Sequence, residues 1–288
     1  MSESAAEPEP LSVVIPVRDA AGVIDTAVGV WLDTLGKLGR EFELIIVDDG
    51  SSDGTPQLVE QLASLRSQVR LLRHESRKGF GACLRTALAE SRHPLVFYTA
   101  LDYPYTPTDL GKMLERIGRE EDVNGRIFRV LVVNGCRTGR PVPMFWRAVG
   151  WVYRAFMRFA LGNPVAPVPS WLGFREHLRG WIAWLMFGNP MEDVGSAFKL
   201  FKREVFDRFP IQSDGDFVHT ELIAKATFTT CMMDEVQLTA SAAPVPPNWW
   251  REFWKLVRNA KFTPHPPPPP PDTPTPTPES PAPATAPP

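Results

Sequence analysis

Two adjacent carboxylates, Asp48 and Asp49, follow a run of four apolar residues, Leu44 to Val47. Four apolar residues in a row are typical of a central parallel strand that is covered on both faces. The carboxylates are therefore expected at the carboxyl end of a strand, where open α/β sheets bind ligands. Acidic groups there can accept hydrogen bonds from a ribose diol or a base N–H. The alternative is that one of them only caps a helix, for which a single carboxylate suffices.

A polar turn, residues 50–55, comes directly after the two carboxylates. Gly50 and Gly54 allow backbone angles that other residues resist. The side chains beside these glycines carry hydroxyl or carboxylate oxygens that can satisfy the first amides of a helix. We therefore expect a capped helix from Pro56 onward, with the capping oxygens supplied by Ser51, Ser52, Asp53 and Thr55.

The first half of the chain alternates apolar strands with helices. Strands are predicted near residues 11–17, 42–48, 69–73, 95–99 and 129–134, and helices near 21–37, 55–66, 80–91 and 107–119. This alternation predicts a parallel sheet with right-handed crossovers. Residues 141–190 form a helical stretch rich in Trp and Arg, and residues 191–240 return to α/β patterning. One α/β domain is therefore expected over residues 11–240.

The two ends of the chain differ from this domain in composition. Residues 1–10 are acidic and polar, lack the features of a signal peptide and are expected to be disordered. Residues 263–288 are rich in proline, cannot bury a core and favour an extended polyproline-II conformation. No uncharged apolar stretch of about 18 residues is present, so no membrane-spanning helix is predicted.

Composition agrees with an intracellular, cytoplasmic domain. The chain has 288 residues, of which 43% are hydrophobic and 22% charged, enough for one large core. Its net charge of −2 gives no indication of nucleic acid as a partner. Three widely spaced cysteines, an odd number, predict reduced thiols and neither a disulfide framework nor a zinc site. These are Cys83, Cys136 and Cys231.

Four segments resemble, in order, motifs of inverting family 2 glycosyltransferases with the GT-A fold. Residues 11–17 are similar to the first strand of that family, and residues 42–55 to its nucleotide-binding signature. Residues 76–85, Ser-Arg-Lys-Gly-Phe-Gly-Ala-Cys-Leu-Arg, resemble its Asn-x-Gly-x-Gly-x-Ala-Leu-Arg segment. Residues 193–203, Asp-Val-Gly-Ser-Ala-Phe-Lys-Leu-Phe-Lys-Arg, resemble a segment of the dolichyl-phosphate-mannose synthase branch. The resemblance covers residues 11–240 and implies a GT-A type α/β domain.

The resemblance implies a site for a nucleotide-activated sugar at the carboxyl ends of the first strands. In the family, the loop after the first strand usually begins Tyr-Asn-Glu, whereas this chain has Arg18, which contacts a base or phosphate or is solvated. A dinucleotide-binding fingerprint at Gly79 is not completed, because its third glycine falls on Leu84. The implied donor-binding residues are Pro16, Val17, Arg18, Asp48, Asp49, Gly79, Gly81 and Asp102.

A divalent cation, Mg²⁺ or Mn²⁺, is also implied. In the family, an Asp-x-Asp pair holds a cation that neutralises the departing nucleoside diphosphate. This chain has Ala100 and Asp102 at those positions and keeps only the second acid. Asp102 is therefore the candidate metal ligand, diphosphate contact and catalytic residue, and a turn-initiating Asp is the alternative. One carboxylate with diphosphate oxygens can still hold a cation weakly, or arginines can neutralise the charge instead.

Four residues further along the chain are implied to bind phosphate or to take part in catalysis. Arg137 stands where the family places a phosphate-contacting arginine, and a surface arginine is the alternative. Asp193 is a candidate catalytic carboxylate, since transfer to a hydroxyl needs a base. An acceptor lipid phosphate is already ionised and needs no strong base, and Lys199 and Arg203 would then hold phosphates. The alternative for Lys199 is a solvated lysine on an amphipathic strand.

Two segments have the pattern of interfacial helices. Residues 247–262 place large aromatics on one helical face and basic residues elsewhere, and residues 144–161 are similar. The alternative is that each helix simply covers the sheet. The favoured hypothesis is an inverting transferase whose acceptor is a polyprenyl-type lipid phosphate at the cytoplasmic membrane face. A polysaccharide or soluble acceptor, or a non-catalytic sugar-nucleotide-binding or scaffold relative, remains the alternative.

Overall fold

The computed structural model describes residues 8–101, 105–123, 126–138, 193–241 and 261. These residues contain eight strands, five α-helices and one 3-10 helix. The strands are Leu11–Val17 (β1), Phe42–Asp49 (β2), Val69–His74 (β3), Leu95–Thr99 (β4), Glu120–Val123 (β5), Arg126–Thr138 (β6), Phe198–Lys202 (β7) and Met232–Ser241 (β8). The helices are Ile24–Gly36 (α1), Thr55–Leu65 (α2), Phe80–Glu90 (α3), Asp109–Leu114 (α4) and Val218–Phe228 (α5), and Arg203–Asp207 is the 3-10 helix.

All eight strands form one sheet. Its order is β3-β2-β1-β4-β7-β6-β5, and β8 pairs with β6. Strands β1 to β4 are mutually parallel where they pair, as the alternation of strands and helices predicts. The later strand β7 lies between β4 and β6 and is antiparallel to both. The predicted α/β fold is confirmed, with this antiparallel strand as the feature that local periodicity does not predict.

The core lies on both faces of the sheet. The four apolar residues Leu44 to Val47 are completely buried, which confirms the prediction of a central strand covered on both sides. On one face, Trp31 of α1 and Leu110 of α4 join the cluster that contains Leu44. On the other face, Leu84 of α3 packs in the second cluster with residues of α5. The helices therefore fix the directions of the strands and the places where they end.

Six strands end at the same edge of the sheet. Strand β6 runs in the direction of β4 because both are antiparallel to β7, and β8 is parallel to β6. The carboxyl ends of β1, β2, β3, β4, β6 and β8 therefore lie together with the amino end of β7. We call this side of the sheet the carboxyl edge. It carries Asp48 and Asp49 on β2 and Arg137 on β6.

The polar turn of residues 50–55 binds a neighbouring loop. Its side chains accept hydrogen bonds from three amides of the loop after β1: Asp19 to Ser51 Oγ (2.9 Å), Ala20 to Thr55 Oγ1 (2.8 Å) and Ala21 to Asp53 Oδ2 (3.0 Å). Helix α2 itself receives no side-chain bond at its cap residue, Gly54. Asp53 Oδ1 does accept a hydrogen bond from the amide of Thr55, the first residue of α2 (3.0 Å), so the predicted capping is confirmed for Asp53. Ser51 and Thr55 instead accept bonds from the loop after β1. Because β1 and β2 are adjacent and parallel, the loops that follow them are neighbours.

Several predicted segments lie outside the described residues. They are nearly all of residues 1–10, the helical stretches 141–190 and 144–161, the interfacial segment 247–262 apart from Lys261, and the tail 263–288. Within the described part of the chain, no helix has the length and apolarity needed to cross a bilayer. The three cysteines are free and buried, as predicted.

Helix α3 begins against a loop from the far end of the chain. The carbonyl oxygen of Asp214 accepts hydrogen bonds from the amides of Gly81 (2.7 Å) and Ala82 (3.2 Å). Gly79 has a φ of +100°, and a Cβ added there would lie 2.5 Å from the same oxygen. A Cβ on Gly81 would lie 2.0 Å from the carbonyl oxygen of Ser213. Both glycines are therefore required by the close approach of two backbones.

Gly81→Ala is expected to destabilise the protein by about 1–3 kcal/mol, because the added methyl group overlaps a backbone carbonyl that cannot rotate away. The matched control is Gly29→Ala in the middle of α1, where nothing lies within 4 Å of the added Cβ. That change should stabilise the protein by roughly 0.5–1 kcal/mol through helix propensity. Urea denaturation measures both. Equal midpoints for the two variants would contradict the packing described for α3.

Candidate active site

The carboxyl edge brings two groups of predicted site residues to one side of the sheet. Asp48 and Asp49 lie at the end of β2, and Arg137 lies with Asp193 at the end of β6 and the approach to β7. Four strand spacings separate β2 from β6, which is roughly 19 Å at the usual spacing of strands. The two groups cannot contact the same atom of a ligand. They are placed to contact the two ends of an extended one.

Asp48 is buried and lightly engaged by the protein. The amide of Ser51 lies 3.2 and 3.4 Å from its two carboxylate oxygens. Arg73, on the neighbouring strand β3, places its Nε 3.6 Å from Oδ2. The Arg73 side chain is 53% exposed, whereas that of Asp48 is completely buried. A carboxylate has about four acceptor positions, so these two groups leave some acceptor positions of Asp48 unused.

Asp49 is fully engaged. Its Oδ1 accepts a bond from the amide of Lys78 (2.8 Å), and its Oδ2 accepts one from the amide of Gly79 (2.8 Å), the cap residue of α3. His74 Nδ1 lies 3.0 Å from Oδ1. Burial alone would raise the pKa of Asp49, but these hydrogen bonds outweigh it and lower the pKa. The capping alternative considered for the carboxylate pair therefore describes Asp49.

His74 is a member of this site that the sequence did not indicate. Its Nε2 lies 2.9 Å from Thr86 Oγ1 of α3, so the ring connects Asp49 to that helix. Possible metal-ligand atoms of Asp49, His74 and Cys83 lie within 4.8 Å of one another. Burial strongly raises the pKa of the Cys83 thiol, which opposes the thiolate that a metal needs. Since the Asp49 oxygens are also occupied, the geometry favours a hydrogen-bonded cluster.

Arg137 and Asp193 form a two-pronged ion pair. Arg137 Nε and Nη2 each lie 2.6 Å from one Asp193 oxygen, and the Arg137 amide donates to Oδ2 at 3.1 Å. The two side chains are 5% and 11% exposed. Burial alone would raise the pKa of Asp193, but the hydrogen bonds and charge of Arg137 outweigh it and lower the pKa. A carboxylate held in this way is a weak general base.

A row of polar side chains lies directly under this ion pair. Strand register places Asn134 of β6 beside Lys199 of β7 and Glu235 of β8. Lys199 Nζ donates to Asn134 Oδ1, and Asn134 Nδ2 donates to Glu235 Oε1 at 2.6 Å. Lys199 is completely buried, so the expectation of a solvated lysine is wrong. Burial lowers the pKa of Lys199 to about 7, although Asp193 and Glu235 oppose the change.

The sequence did not indicate Asn134 or Glu235 as members of the site. The strand predicted near residues 129–134 continues as β6 to Thr138, because β8 pairs with it throughout this stretch. The one signal in the sequence is that Asn134 is the first polar residue after a fully apolar run. Nothing in the local sequence of Glu235 shows that it faces this position.

Arg203 lies away from the carboxyl edge. Its guanidinium donates to the carbonyls of Leu88 (3.0 Å) and Ser91 (2.6 Å) at the end of α3. Strand β7 is antiparallel to β4 and pairs Lys202 with Leu95, so the residue after it lies beside the amino end of β4. This placement gives no support to a phosphate-binding role for Arg203, and that role stays a prediction.

The remaining predicted residues are placed as follows. Pro16 and Val17 are in register with Val47 and Asp48 at the end of β1. Arg18 is exposed at this edge, with its Nε 3.5 Å from Asp19. Gly79 and Gly81 pack against residues 213–215. Asp102 lies outside the described residues, and its role stays a prediction.

Residues 12–181 match the family model described as Glycosyl transferase family 2. Glycosyltransferase AglD of Haloferax volcanii is 26% identical over 222 residues, which are 75% of this chain and 30% of that protein. An undecaprenyl-phosphate 4-deoxy-4-formamido-L-arabinose transferase of Pseudomonas paraeruginosa is 29% identical over 119 residues, 41% of this chain and 35% of that protein. The chain spans about a third of the length of these relatives.

Solved structures share the fold. Mannosyl-3-phosphoglycerate synthase from Rubrobacter xylanophilus superposes with a TM-score of 0.55 at 18% identity, covering 87% of this chain and 72% of that one. Glucosyl-3-phosphoglycerate synthase from Mycobacterium tuberculosis, in complex with Mn²⁺, uridine diphosphate and phosphoglyceric acid, gives 0.51 at 19% identity, covering 87% and 75%. The GT-A type of sheet expected from the sequence is confirmed by these likenesses.

Lys199→Met is expected to change how stability depends on pH. The pKa of Lys199 is about 7 in the folded protein and about 10.4 in an unfolded chain. Between these values the unfolded state binds more protons, so the free energy of unfolding of the native protein rises with pH. One proton contributes at most about 1.4 kcal/mol per pH unit. The variant should lack this contribution.

Urea denaturation between pH 6.5 and 9 measures the difference in slope between the native protein and Lys199→Met. The matched control is Lys202→Met, because Lys202 is on the same strand but reaches Glu9 at the opposite edge. This control should keep the native slope. If the free energy of unfolding depends on pH in the same way in the native protein and in Lys199→Met, the lowered pKa of the buried Lys199 is contradicted.

Proposed function

The chain belongs to glycosyltransferase family 2, and from that premise we propose that it transfers a sugar from a nucleotide-diphosphate donor to an acceptor with inversion. The observation that carries the proposal is the carboxyl edge. There, the buried carboxylate of Asp48 and the Arg137–Asp193 pair face the same side of a GT-A type sheet. The spacing of these two groups suits a nucleoside at the end of β2 and the phosphate of the acceptor at Arg137 on β6, with the sugar of the donor between them.

In this proposal the nucleoside lies on the ends of β1 and β2. Asp48 supports this placement because its carboxylate has unused acceptor positions, whereas the carboxylate of Asp49 is occupied by amides of the protein. Arg73 and Arg18 are exposed cations at this part of the edge, as are Arg77 and Lys78 beyond the end of β3. Their charge favours an anionic donor and orients its diphosphate away from the two carboxylates.

The proposed acceptor is a polyprenyl-type lipid phosphate. Asp193 is a poor base for a hydroxyl acceptor, because Arg137 occupies both of its oxygens. A phosphate acceptor is ionised already. Its oxygen forms the bond to the sugar C1, the bond from C1 to the diphosphate oxygen breaks, and the electron pair leaves with the nucleoside diphosphate. The printed name of the undecaprenyl-phosphate transferase, a relative of this chain, agrees with such an acceptor.

A membrane surface is the proposed place of this reaction. A polyprenyl phosphate keeps its tail in the bilayer, so the enzyme must meet the headgroup at the interface. Residues 247–262 combine aromatic and basic side chains in the pattern of a helix that lies in the headgroup region. We place the protein peripherally at the cytoplasmic face for this reason.

Asp48→Asn is expected to weaken the binding of the preferred nucleoside diphosphate at least about tenfold, or roughly 1.4 kcal/mol. An amide in place of the carboxylate offers fewer acceptor positions and no charge to a ribose or base. The measurement is calorimetric titration, after a panel of nucleoside diphosphates has identified the tightest ligand. Asp33→Asn, an exposed change in α1, is the control and should bind like the native protein.

Single-turnover assays with nucleotide sugars and farnesyl phosphate, a short polyprenyl phosphate, test the transfer itself. Formation of a sugar-phosphate lipid with one donor supports the proposed function. Tight nucleotide binding without transfer from any donor to the lipid or to a polysaccharide would favour the non-catalytic alternative, which Ala100 motivates. Unchanged affinity in Asp48→Asn would remove the proposed nucleoside site.

The implied cation fits the residues of this chain only in part. Ala100, directly after β4, offers no ligand oxygen, so Asp102 and the donor diphosphate would have to hold the ion. A bound Mg²⁺ or Mn²⁺ would stabilise the leaving nucleoside diphosphate as a Lewis acid. The solved structure with Mn²⁺ and uridine diphosphate belongs to a protein that shares the fold.

Manganese is therefore expected to bind the native protein weakly alone and clearly more tightly with a nucleoside diphosphate. Ala100→Asp should tighten binding in both conditions, since it restores a second carboxylate. Ala100→Asn adds a similar volume without charge and should have a much smaller effect. Electron paramagnetic resonance of free Mn²⁺ measures binding directly. Tight binding without nucleotide, or no gain in Ala100→Asp, would contradict the alignment of this loop.

A further inference from the structure

We propose that Lys199, Asn134 and Glu235 are positioning residues that fix the Arg137–Asp193 pair at the carboxyl edge. We call these three residues the polar row. The inference rests on the proposed function, in which Arg137 meets the phosphate of the acceptor. It goes further because it assigns a role to the buried Lys199 and Asn134 and the half-buried Glu235, none of which touches a ligand in this proposal.

The polar row binds both backbone polar groups of Asp193. Asn134 Nδ2 donates to the Asp193 carbonyl oxygen at 3.0 Å, and Glu235 Oε1 accepts from the Asp193 amide at 3.3 Å. Asn134 and Glu235 are themselves joined at 2.6 Å. Lys199 donates to the Asn134 oxygen and thereby fixes which way the amide of that side chain points. The row therefore determines the position of Asp193 relative to three strands.

Asp193 passes this position on to Arg137. The carboxylate takes two hydrogen bonds from the guanidinium and a third from the Arg137 amide. Two parallel bonds between a guanidinium and a carboxylate fix the plane of the guanidinium as well as its distance. A displacement of Asp193 therefore moves the group that is proposed to meet phosphate.

Packing of the sheet makes a purely stabilising role a weak account of the row. The positions on the side of the row away from the carboxyl edge, Val132 and Val133 on β6 and Leu200 and Phe201 on β7, are completely buried apolar residues. Buried charges are often replaceable by apolar residues without loss of stability, so they are weak evidence for a stabilising role. The polar row interrupts the apolar positions at the point where Asn134 and Glu235 contact the backbone of Asp193. The polar row is therefore placed to hold the Arg137–Asp193 pair in position at the carboxyl edge.

Charged groups surround Lys199 from each neighbouring element. Asp193 faces it from the segment before β7, Glu235 from β8, and Arg137 and Cys136 from β6. The burial that lowers the pKa of Lys199 to about 7 makes the charge of the row change near neutral pH. When Lys199 loses its proton, the two carboxylates lose a counter-charge. The position of Arg137 should then depend on pH in the same range.

The first experiment observes Arg137 directly, without any ligand. In ¹H–¹⁵N spectra of the full-length protein, the Arg137 Nε–H signal is assigned by its absence in Arg137→Lys. Glu235→Met removes the acceptor oxygen of the row and should shift or broaden this signal. Glu235→Gln keeps one acceptor oxygen and should retain a signal close to that of the native protein. An unchanged signal in Glu235→Met would overturn the proposal.

The second experiment measures transfer to farnesyl phosphate. Glu235→Met should raise the half-saturating concentration of this acceptor at least about tenfold, as expected for a loss of roughly 1.4 kcal/mol. The affinity for nucleoside diphosphate, whose proposed site is at Asp48 on the end of β2, should stay unchanged. Glu235→Gln should restore acceptor binding to within about threefold of the native value. Equal losses for acceptor and nucleotide, or equal losses in Met and Gln variants, would show a structural role only and overturn the proposal.

The pH profile provides a readout that a structural role would not change. In the native protein, acceptor affinity should vary with pH around 7, and in Lys199→Met this variation should be absent. Lys202→Met is the control and should keep the native profile. If Glu235→Met does not fold, Lys199→Met replaces it in the Arg137 spectra, and an unchanged Arg137 signal there overturns the proposal equally. Because the spectra need no ligand, failure of transfer in the native protein would refute the proposed function separately.

Discussion

The pairing of β7 with both β4 and β6 is the constraint on which the site depends. Because β7 is antiparallel to both neighbours, β6 runs in the direction of β4 and ends at the same edge. The same pairing starts β7 at that edge, so the segment that begins with Asp193 enters beside the end of β6. A sheet without this strand would leave Asp48 and Arg137 without a common edge. The chemistry proposed for the chain follows from this one strand direction.

A second constraint is the loop of residues 212–214, which covers the first amides of α3. Glu221 accepts bonds from the amides of Gln212 and Ser213, both at 2.7 Å, and pairs with the buried Lys225. The loop held in this way presses its carbonyls onto the first amides of α3. In dinucleotide-binding folds, the first turn of such a helix receives the phosphates of the ligand. Here backbone carbonyls occupy that place, and the anion site is built from side chains on the other half of the sheet.

Local sequence patterns predicted the elements but not all of their partners. The strands and helices of residues 11–99, and the position of Asp48 and Asp49 at a strand end, follow from periodicity and turn residues alone. Strand β5 was not predicted, and α4 is shorter than the helix predicted near residues 107–119. The hydrogen bonds that occupy the Asp49 carboxylate do not follow from local patterns, because the amides that donate them lie about 30 residues further along the chain. The surroundings of Lys199 and Arg203 could not be predicted for a related reason, and their phosphate-binding roles stay predictions. Their surroundings depend on the direction and register of β7, which are set by pairing with distant strands.

The hydrogen bonds between the loops after β1 and β2 have a consequence for molecular recognition. Three amides of the first loop are already bound to side chains of the second, without any ligand. A rim ordered in advance loses little conformational entropy when a partner binds, so more of the interaction energy appears as affinity. Such a rim also cannot adapt its shape cheaply to different ring systems. In the proposed function, this part of the molecule would therefore select among bases by fit to a preformed surface.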